Sequence, residues 1–319
     1  MSTATQPIVD ASRQYESLTR RAHAFLSDHT QLMKIRVTTL VVASAWCGYF
    51  LAAHKSGTPS FSWPAWYAMA AIGLVSAGAA ALNQVIEREA DARMLRTQAR
   101  PVAAERLSSA HAAGFGLALL LGGSIALWLM TNFLTGMLAL TTAAAYLLVY
   151  TPLKQVSTIC TFVGAFPGAM PPLLGWTALR GRLEWEALAL FAIVFFWQFP
   201  HFFSIAWLYS EDYERAAIRM LPVVEKDGRS TARNIMWYST ALIPVSLLPA
   251  LLGTAGAGYV VGAILLSLAY LWFGWRLAKS GLAPAAPLSK RPARQLLQAS
   301  VLYLPLLFAL LMLSAEFHV

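Results

Sequence analysis

Long runs of apolar residues limit what this chain can fold into more than any other feature of its sequence. A bilayer core about 30 Å thick is crossed by a helix of about 20 apolar residues. Nine segments of that kind recur along the 319 residues, at about 36–53, 65–86, 109–130, 132–150, 157–178, 186–208, 233–253, 256–275 and 298–315. We therefore predict an all-α integral membrane protein built as a nine-transmembrane-helix bundle.

The composition excludes several other classes of protein. Hydrophobic residues make up 58% of the chain and charged residues 12%, whereas an ordinary soluble domain is about a quarter charged. A disordered chain, a fibrous repeat and most soluble enzymes are thereby excluded. The two cysteines, Cys47 and Cys160, are too few for a disulfide scaffold or a thiolate metal site. The net charge of +9 does not indicate nucleic acid, because the basic residues alternate with apolar runs.

The basic residues predict the orientation in the membrane. Of the 24 Lys and Arg residues, only three fall on one side of the predicted bundle, namely Lys55, Arg180 and Arg182. The positive-inside rule places the other side in the cytoplasm, so an odd number of crossings puts the C-terminus outside. We expect a cytoplasmic segment at 1–35, one transmembrane domain at 36–315 and a short external tail at 316–319, in a bacterial cytoplasmic (inner) membrane. No cleavable signal peptide is evident in residues 1–30.

Oxygen-bearing side chains form a stripe where the second apolar segment ends. Asn83, Glu87 and Asp91 are spaced by four residues, which places them on one helix face over about 12 Å. Hard cations such as Mg²⁺ take oxygen ligands and often keep substrate phosphates in their shell. The stripe therefore suggests a Mg²⁺ site, although simple ion pairs at a membrane boundary are an open alternative. Ionisable groups close to hydrocarbon are costly and are usually functional, which favours the metal site.

Basic residues suited to phosphate follow the stripe. Arg93, Arg96 and Arg100 come next in the chain, and arginine makes bidentate contacts to phosphate. A second acidic cluster, with Asp212 flanked by Glu211 and Glu214, follows the sixth apolar segment on the same predicted side. Lys154 lies in the short loop between the two clusters. The sequence thus predicts a metal–diphosphate clamp, with a solvated helix end as the alternative for the second cluster.

Several motifs resemble those of one family. The run from Asn83 to Pro101 is similar to the first signature of the UbiA-type intramembrane prenyltransferases, and the segment from Tyr150 to Lys154 is similar to their Tyr/Lys loop. Three further stretches resemble the protohaem IX farnesyltransferase (haem O synthase) branch. They are Gly164 to Trp176, Trp197 to Phe202, and Met220 to Val224 with the preceding Asp212-Tyr213.

The resemblance implies an activity and a set of site residues. It implies a Mg²⁺-dependent transfer of a farnesyl group from farnesyl diphosphate to the vinyl group of haem B, giving haem O for haem–copper oxidase assembly. It places metal ligands at Asn83, Glu87, Asp91 and Asp212, and Arg93, Arg96, Arg100 and Lys154 fit the diphosphate. Beyond the lipid bilayer and the two substrates, it leaves haem A synthase or oxidase assembly proteins open as partners.

The sequence departs from the family pattern at the second cluster. Ala216 stands four residues after Asp212, where the wider superfamily has a second carboxylate, so Glu211 or Glu214 would have to compensate. Glu87 replaces a more common Asp and keeps an oxygen ligand with a longer reach. Lys34 and Arg36 are compatible with plain topology anchors or with contacts to phosphate or haem propionate.

The acceptor site is predicted from one histidine and its neighbours. His201 lies well inside an apolar segment, next to Pro200. Because imidazole suits iron, we expect haem contact at His201, Trp197 and Gln198, although a buried histidine hydrogen-bonded to a neighbour fits equally well. Two rival functions remain: prenyl transfer to an aromatic quinone precursor, and a membrane transporter or haem-carrying subunit. The acids at one interface, rather than at the midplane, argue against a transporter.

Overall fold

A computed structural model describes residues 20–316, and this part of the chain is helical throughout apart from its connecting turns and loops. In chain order the helices of the first half are α1 (20–32), α2 (Ile35–Ser56), α3 (Trp63–Ile86), α4 (Arg88–Arg93), α5 (Ser109–Met130), α6 (Phe133–Ala144), α7 (Thr151–Val156) and α8 (Cys160–Arg180). Those of the second half are α9 (Trp185–Leu208), α10 (Ser210–Arg215), α11 (Leu221–Val224), α12 (Arg229–Ser246), α13 (Leu248–Leu251), α14 (Ala257–Lys279) and α15 (Lys290–Glu316).

Eight helical stretches in the described residues are long and apolar enough to cross a bilayer. They correspond to eight of the nine predicted segments, and α6, a π-helical turn and α7 together form one of them, Phe133–Val156. The remaining predicted segment, 157–178, is the helix α8 of 21 residues with Pro167, Pro171 and Pro172 inside it. The protein is thus an all-helical integral membrane protein.

Segment boundaries differ from the sequence prediction most at the last helix. α15 begins at Lys290, eight residues before the predicted start, because a helix continues past the apolar segment into a basic turn. The predicted N-terminal segment contains the helix α1, which Gln84 ties to α3 by donating from Nε2 to the carbonyls of Gln31 and Leu32, 3.0 Å each. The predicted external tail lies outside the described residues except for Glu316.

Close contacts between helix backbones hold the bundle together. A Cβ atom at Gly48 of α2 would collide with the carbonyl of Pro172 in α8, and one at Gly175 of α8 with the carbonyl of Ala45. Small residues allow such close approach in membranes, where van der Waals packing rather than the hydrophobic effect drives helix association. The pairing of α2 with α8 therefore depends on these two glycines.

The predicted grouping of loops by side agrees with the contacts at the two ends of the bundle. At one end, Lys34 reaches Asn83, Lys154 reaches Glu87, and Lys290 donates to the carbonyls of Trp207 and Leu208. At the other end, Lys55 pairs with Glu184 and Glu186. We call the first end, which carries the short helices α4, α7, α10 and α11, the basic end.

Candidate active site

The predicted stripe keeps its helical spacing across the junction of α3 and α4. Glu87 lies between the two helices with φ −91° and ψ 6°. Its N–H still donates to the Asn83 carbonyl at 2.9 Å, and the Asp91 N–H donates to the Glu87 carbonyl at 2.8 Å. The i to i−4 ladder therefore continues, and the three side chains remain in register along one side, as the sequence predicts.

Asn83 is buried between two partners from other elements. Its Oδ1 accepts from Lys34 Nζ at 2.8 Å, and its Nδ2 donates to Thr151 Oγ1 at 3.2 Å. Lys34 adopts the left-handed backbone conformation, φ 46° and ψ 51°, which is uncommon for a residue with a Cβ and is characteristic of functional positions. Burial, together with the positive charge of Arg100, lowers the pKa of the Lys34 ammonium to about 7.

The sequence alone does not decide the role of Lys34. Its motif was compatible with a topology anchor or with a phosphate contact. In the structure its ammonium reaches inward to the stripe rather than outward to lipid headgroups. The sequence feature that indicates this contact is the position of Lys34 directly before an apolar segment.

Glu87 pairs with Lys154 from the middle loop. Lys154 Nζ donates to Glu87 Oε1 at 2.6 Å, and the Glu87 side chain is 12% exposed. Burial alone would raise the pKa of the Glu87 carboxyl, but the ammonium of Lys154 outweighs burial and holds that pKa below its ordinary value. Lys154 Nζ also lies 4.5 Å from the centre of the Tyr150 ring, a cation–π distance.

A π-helical turn, Ala145–Tyr150, places Lys154 at the site. Pro152 has no N–H and would clash with the carbonyl four residues earlier in a regular helix. The wider turn before it accommodates this, and Thr151 Oγ1 donates to the Tyr146 carbonyl five residues back at 2.8 Å. Such turns are frequent at functional sites.

Asp91 is fully buried and is held by one arginine. Arg100 Nη1 donates to both carboxylate oxygens at 2.7 and 2.6 Å. The Thr97 hydroxyl donates to the Asp91 carbonyl at 3.0 Å, which fixes the turn that brings Arg100 back to α4. Asp91 is therefore the most enclosed acid of the stripe, since its side chain has no exposed surface.

Asp212 joins the second acidic cluster to the loop after α4. Its carboxylate accepts from the backbone N–H groups of Leu95 at 3.3 Å and Arg96 at 3.4 Å, and it also pairs with Arg215. The Arg96 guanidinium lies over the Tyr209 and Tyr213 rings, 5.0 and 5.9 Å from their centres. The two clusters are therefore neighbours at the basic end.

Three other predicted site residues, Arg93, Glu211 and Glu214, take no part in the ion pairs described above. Arg93 is exposed and lines an open pocket with Glu89 and Gln155. Glu214 is exposed and pairs with Lys226 at 2.6 Å, and Glu211 is exposed. Neither glutamate lies in the contacts that hold Asp212.

The stripe and Asp212 fit Mg²⁺ only as a site for a metal ion that is bound together with an anion. Among residues 20–316, no group of three or more His, Cys, Asp or Glu side chains is placed to hold a metal ion together. Each acid already has a basic partner. Mg²⁺, however, is commonly bound through one or two carboxylates plus substrate phosphates rather than by an all-protein cage. The donor set of amide and carboxylate oxygens suits a metal that arrives with an anion.

The predicted haem-contacting residues lie where α9 meets α15 and α8. His201 Nδ1 is 2.7 Å from Ser300 Oγ, and Trp197 Nε1 donates to the Ser300 carbonyl at 2.9 Å. The two rings are stacked with their centres 5.0 Å apart. Gln198 is buried and donates from Nε2 to the Ala165 carbonyl of α8 at 2.7 Å. Haem contact by these three residues stays a prediction.

Comparison with known proteins places the chain in context. The model of the UbiA prenyltransferase family matches residues 41–288. A protein named protoheme IX farnesyltransferase from Koribacter versatilis is 55% identical over 98% of this chain and 99% of its own length. A protein of the same name from Solibacter usitatus is 46% identical over 91% of this chain and 99% of its own length.

Solved structures share the fold at low sequence identity. A digeranylgeranylglyceryl phosphate synthase has a TM-score of 0.73 at 15% identity, covering 91% of this chain and 98% of its own. A UbiA homologue from Archaeoglobus fulgidus, solved with GPP and Mg²⁺, has a TM-score of 0.55 at 15% identity, covering 89% of this chain and 99% of its own. At this identity the likeness concerns the fold alone.

Proposed function

This chain belongs to the UbiA prenyltransferase family, and on that premise we propose that it is a protohaem IX farnesyltransferase. It transfers a farnesyl group from farnesyl diphosphate to a vinyl group of haem B, giving haem O and diphosphate. The observation that carries this assignment is the 55% identity to a protein of that name over nearly the full length of both chains. The haem O serves haem–copper oxidase assembly, with haem A synthase or oxidase assembly proteins as partners.

We place the basic end in the cytoplasm of a bacterial cell, with the protein in the inner membrane. The distribution of Lys and Arg supports this orientation. We count nine crossings, with α8 as the ninth. Its 21 residues span about 31 Å at 1.5 Å per residue, and it packs along α2, a helix apolar and long enough to cross. The C-terminus then lies outside.

The basic end receives the diphosphate. Lys34, Lys154 and Arg100 each contact an oxygen-bearing residue of the stripe, and Arg93 and Arg96 are exposed beside it. Even without Lys34, whose pKa is about 7, Lys154 and the three arginines outnumber the two carboxylates of the stripe, so the end attracts an anion. Asn83, Glu87, Asp91 and Asp212 would hold Mg²⁺. When bound with the diphosphate, Mg²⁺ supplies charge stabilisation to the leaving group.

The chain's own residues account for the remaining steps. As the bond between farnesyl C1 and oxygen breaks, its electron pair goes to diphosphate, whose growing charge Lys154 and Arg100 stabilise. A vinyl carbon of haem B forms the new bond to C1. Water then adds to the carbocation left on the haem side and loses a proton.

The purified protein in lipid nanodiscs tests this assignment. Incubation with Mg²⁺, haem B and prenyl diphosphates of several chain lengths, followed by mass analysis, should give haem O from farnesyl diphosphate. The product requires both substrates, and chelation of divalent cations should stop its formation. Glu87→Gln, which keeps the size of the side chain, is the matched inactive control.

The same assay also tests the rival activity, which is prenyl transfer to an aromatic quinone precursor. An aromatic quinone precursor replaces haem B in a parallel reaction. A prenylated quinone precursor without any haem O would overturn the proposed acceptor while leaving the prenyltransferase assignment intact.

A further inference from the structure

The contacts of Ser300 fix which nitrogen of His201 carries the proton. Ser300 Oγ lies 2.6 Å from the Leu297 carbonyl oxygen and 2.7 Å from His201 Nδ1. A carbonyl oxygen only accepts, so the single hydroxyl proton of Ser300 must go to Leu297. Ser300 Oγ therefore accepts from His201, and the proton of the neutral imidazole is on Nδ1.

This tautomer leaves His201 Nε2 with a free lone pair. Among the described residues Nε2 has no hydrogen-bond partner, and it is not among the enclosed side-chain atoms that lack one. The His201 side chain is mostly, but not fully, buried. Trp197 stacks against one face and donates to the backbone carbonyl of Ser300, so the ring is held from two directions. An imidazole nitrogen that is unprotonated, accessible and held in one orientation can ligate a transition metal.

We propose that His201 Nε2 ligates the iron of the porphyrin substrate and that Ser300 is the positioning residue that presents it. Metal-ligating histidines generally donate their other ring N–H to an oxygen acceptor, which fixes tautomer and orientation; here the Ser300 hydroxyl is that acceptor. His201 lies seven residues before the end of α9 at Leu208, about 10 Å along the helix. It is thus near the end where Asp212 and the diphosphate residues lie. The proposal rests on haem as the acceptor.

Spectroscopic titration of the intact protein with haem B, without any prenyl diphosphate, tests the proposal. The wild-type protein in nanodiscs should show an absorption and EPR signature of histidine-ligated haem, and His201→Ala should lose it. Added imidazole should restore the signature in His201→Ala. Ser300→Ala should weaken haem affinity by about 10-fold or more, the size typical of losing a partner that orients a ligand, and Ser300→Thr should recover it.

Ser204→Ala is the matched control. Ser204 is buried on the same helix and donates to the His201 backbone carbonyl at 2.7 Å rather than to its ring. Its removal should leave the haem spectrum unchanged. An unaltered spectrum and affinity in Ser300→Ala would overturn the role of Ser300, and a histidine signature that persists in His201→Ala would overturn the ligation.

Failure of this inference is distinguishable from failure of the proposed function. Haem O production by a protein whose spectrum does not respond to His201→Ala refutes the ligation alone. Histidine-ligated haem without any farnesyl transfer refutes the enzyme assignment alone. Absence of haem binding in the wild-type protein refutes the ligation, and a lack of haem O formation with both substrates refutes the enzyme assignment.

Discussion

Lys154 Nζ and Glu87 Oε1 lie 2.6 Å apart at the inner edge of the basic end, with both side chains almost enclosed. The pair joins α7 to the end of α3, two elements separated by 67 positions in the chain. It therefore serves the fold and, in our proposal, the diphosphate site as well. These two roles are separable by experiment.

Reversing the pair, with Glu87→Lys and Lys154→Glu together, should give a folded but inactive protein. Each single reversal places two like charges together in a nearly enclosed site, and breaking a buried pair costs roughly 3–5 kcal/mol. The double variant restores the attraction and should recover most of the loss in thermal stability in detergent. Farnesyl transfer should stay at least about 100-fold below wild type, because the ammonium no longer lies at the lysine position. Restored activity would make the pair purely structural.

Asp91→Asn should abolish turnover and also destabilise the protein. Asp91 is fully buried and Arg100 donates to both of its oxygens, so the variant leaves a guanidinium without its anion. We expect a loss of about 3–5 kcal/mol in the free energy of unfolding. Adding Arg100→Gln replaces the ion pair by two neutral amides and should recover stability without activity. Near-normal turnover in Asp91→Asn would exclude a role for its charge in the reaction.

Gly175→Ala should weaken the packing of α8 on α2. The added methyl group would collide with the backbone carbonyl of Ala45, which has no rotamer to change. Overpacking costs about 1–3 kcal/mol, and contact with backbone places this case at the upper end. Gly122→Ala is the matched control, since nothing lies within 4 Å of the Cβ it would add. Equal melting temperatures for the two variants would contradict the predicted close packing.

Glu184 lies at the end of the bundle opposite the candidate active site, and its ion pairs should make the stability of the protein depend on acid pH. Hydrogen bonds from Arg180 lower the pKa of the Glu184 carboxyl from 4.5 to about 2, against the opposing effect of burial. A carboxyl with a lowered pKa in the folded state adds stability that is complete above pH 4.5 and disappears as the pH falls through about 2. Glu184→Gln should lower the unfolding temperature at pH 7, and the difference from wild type should shrink between pH 4.5 and 2.

Glu186→Gln provides the comparison for that measurement. Among residues 20–316, Glu186 forms an ion pair with Lys55 alone, whereas Glu184 also contacts Arg180, Arg182 and Trp176. The loss at pH 7 should be smaller for Glu186→Gln. A constant difference between wild type and Glu184→Gln across the acid range would contradict the lowered pKa.

The sequence predicts the helices well because apolar length is a local property. Helix α9, for example, begins one residue from the predicted position and ends at the predicted residue. α15 shows the limit of this signal, because its first turns are basic and their helical state depends on contacts such as those of Lys290 with the end of α9.

The shared helix face of the stripe was predictable from the sequence, but the ion pairs of its side chains were not. The spacing of Asn83, Glu87 and Asp91 predicts their common face, and the ladder of backbone hydrogen bonds agrees. Which base meets which acid depends on the π-helical turn that aims Lys154 and on the loop that returns Arg100. The turn and the loop are local, but the meeting of Lys154 with Glu87 and of Lys34 with Asn83 joins segments 67 and 49 positions apart, and no local pattern predicts it.

Glu87, Asp91 and Asp212 each pair with a base of their own, and this has a consequence for ion selection at the proposed metal site. A free divalent cation would have to displace an internal ammonium or guanidinium without supplying anything to take its place. In our proposal the diphosphate supplies new anionic oxygens for those displaced bases, so we expect the metal to bind together with the isoprenoid diphosphate. In our proposal, Ca²⁺ or Mn²⁺ arriving without a diphosphate should therefore bind only weakly at Glu87, Asp91 and Asp212.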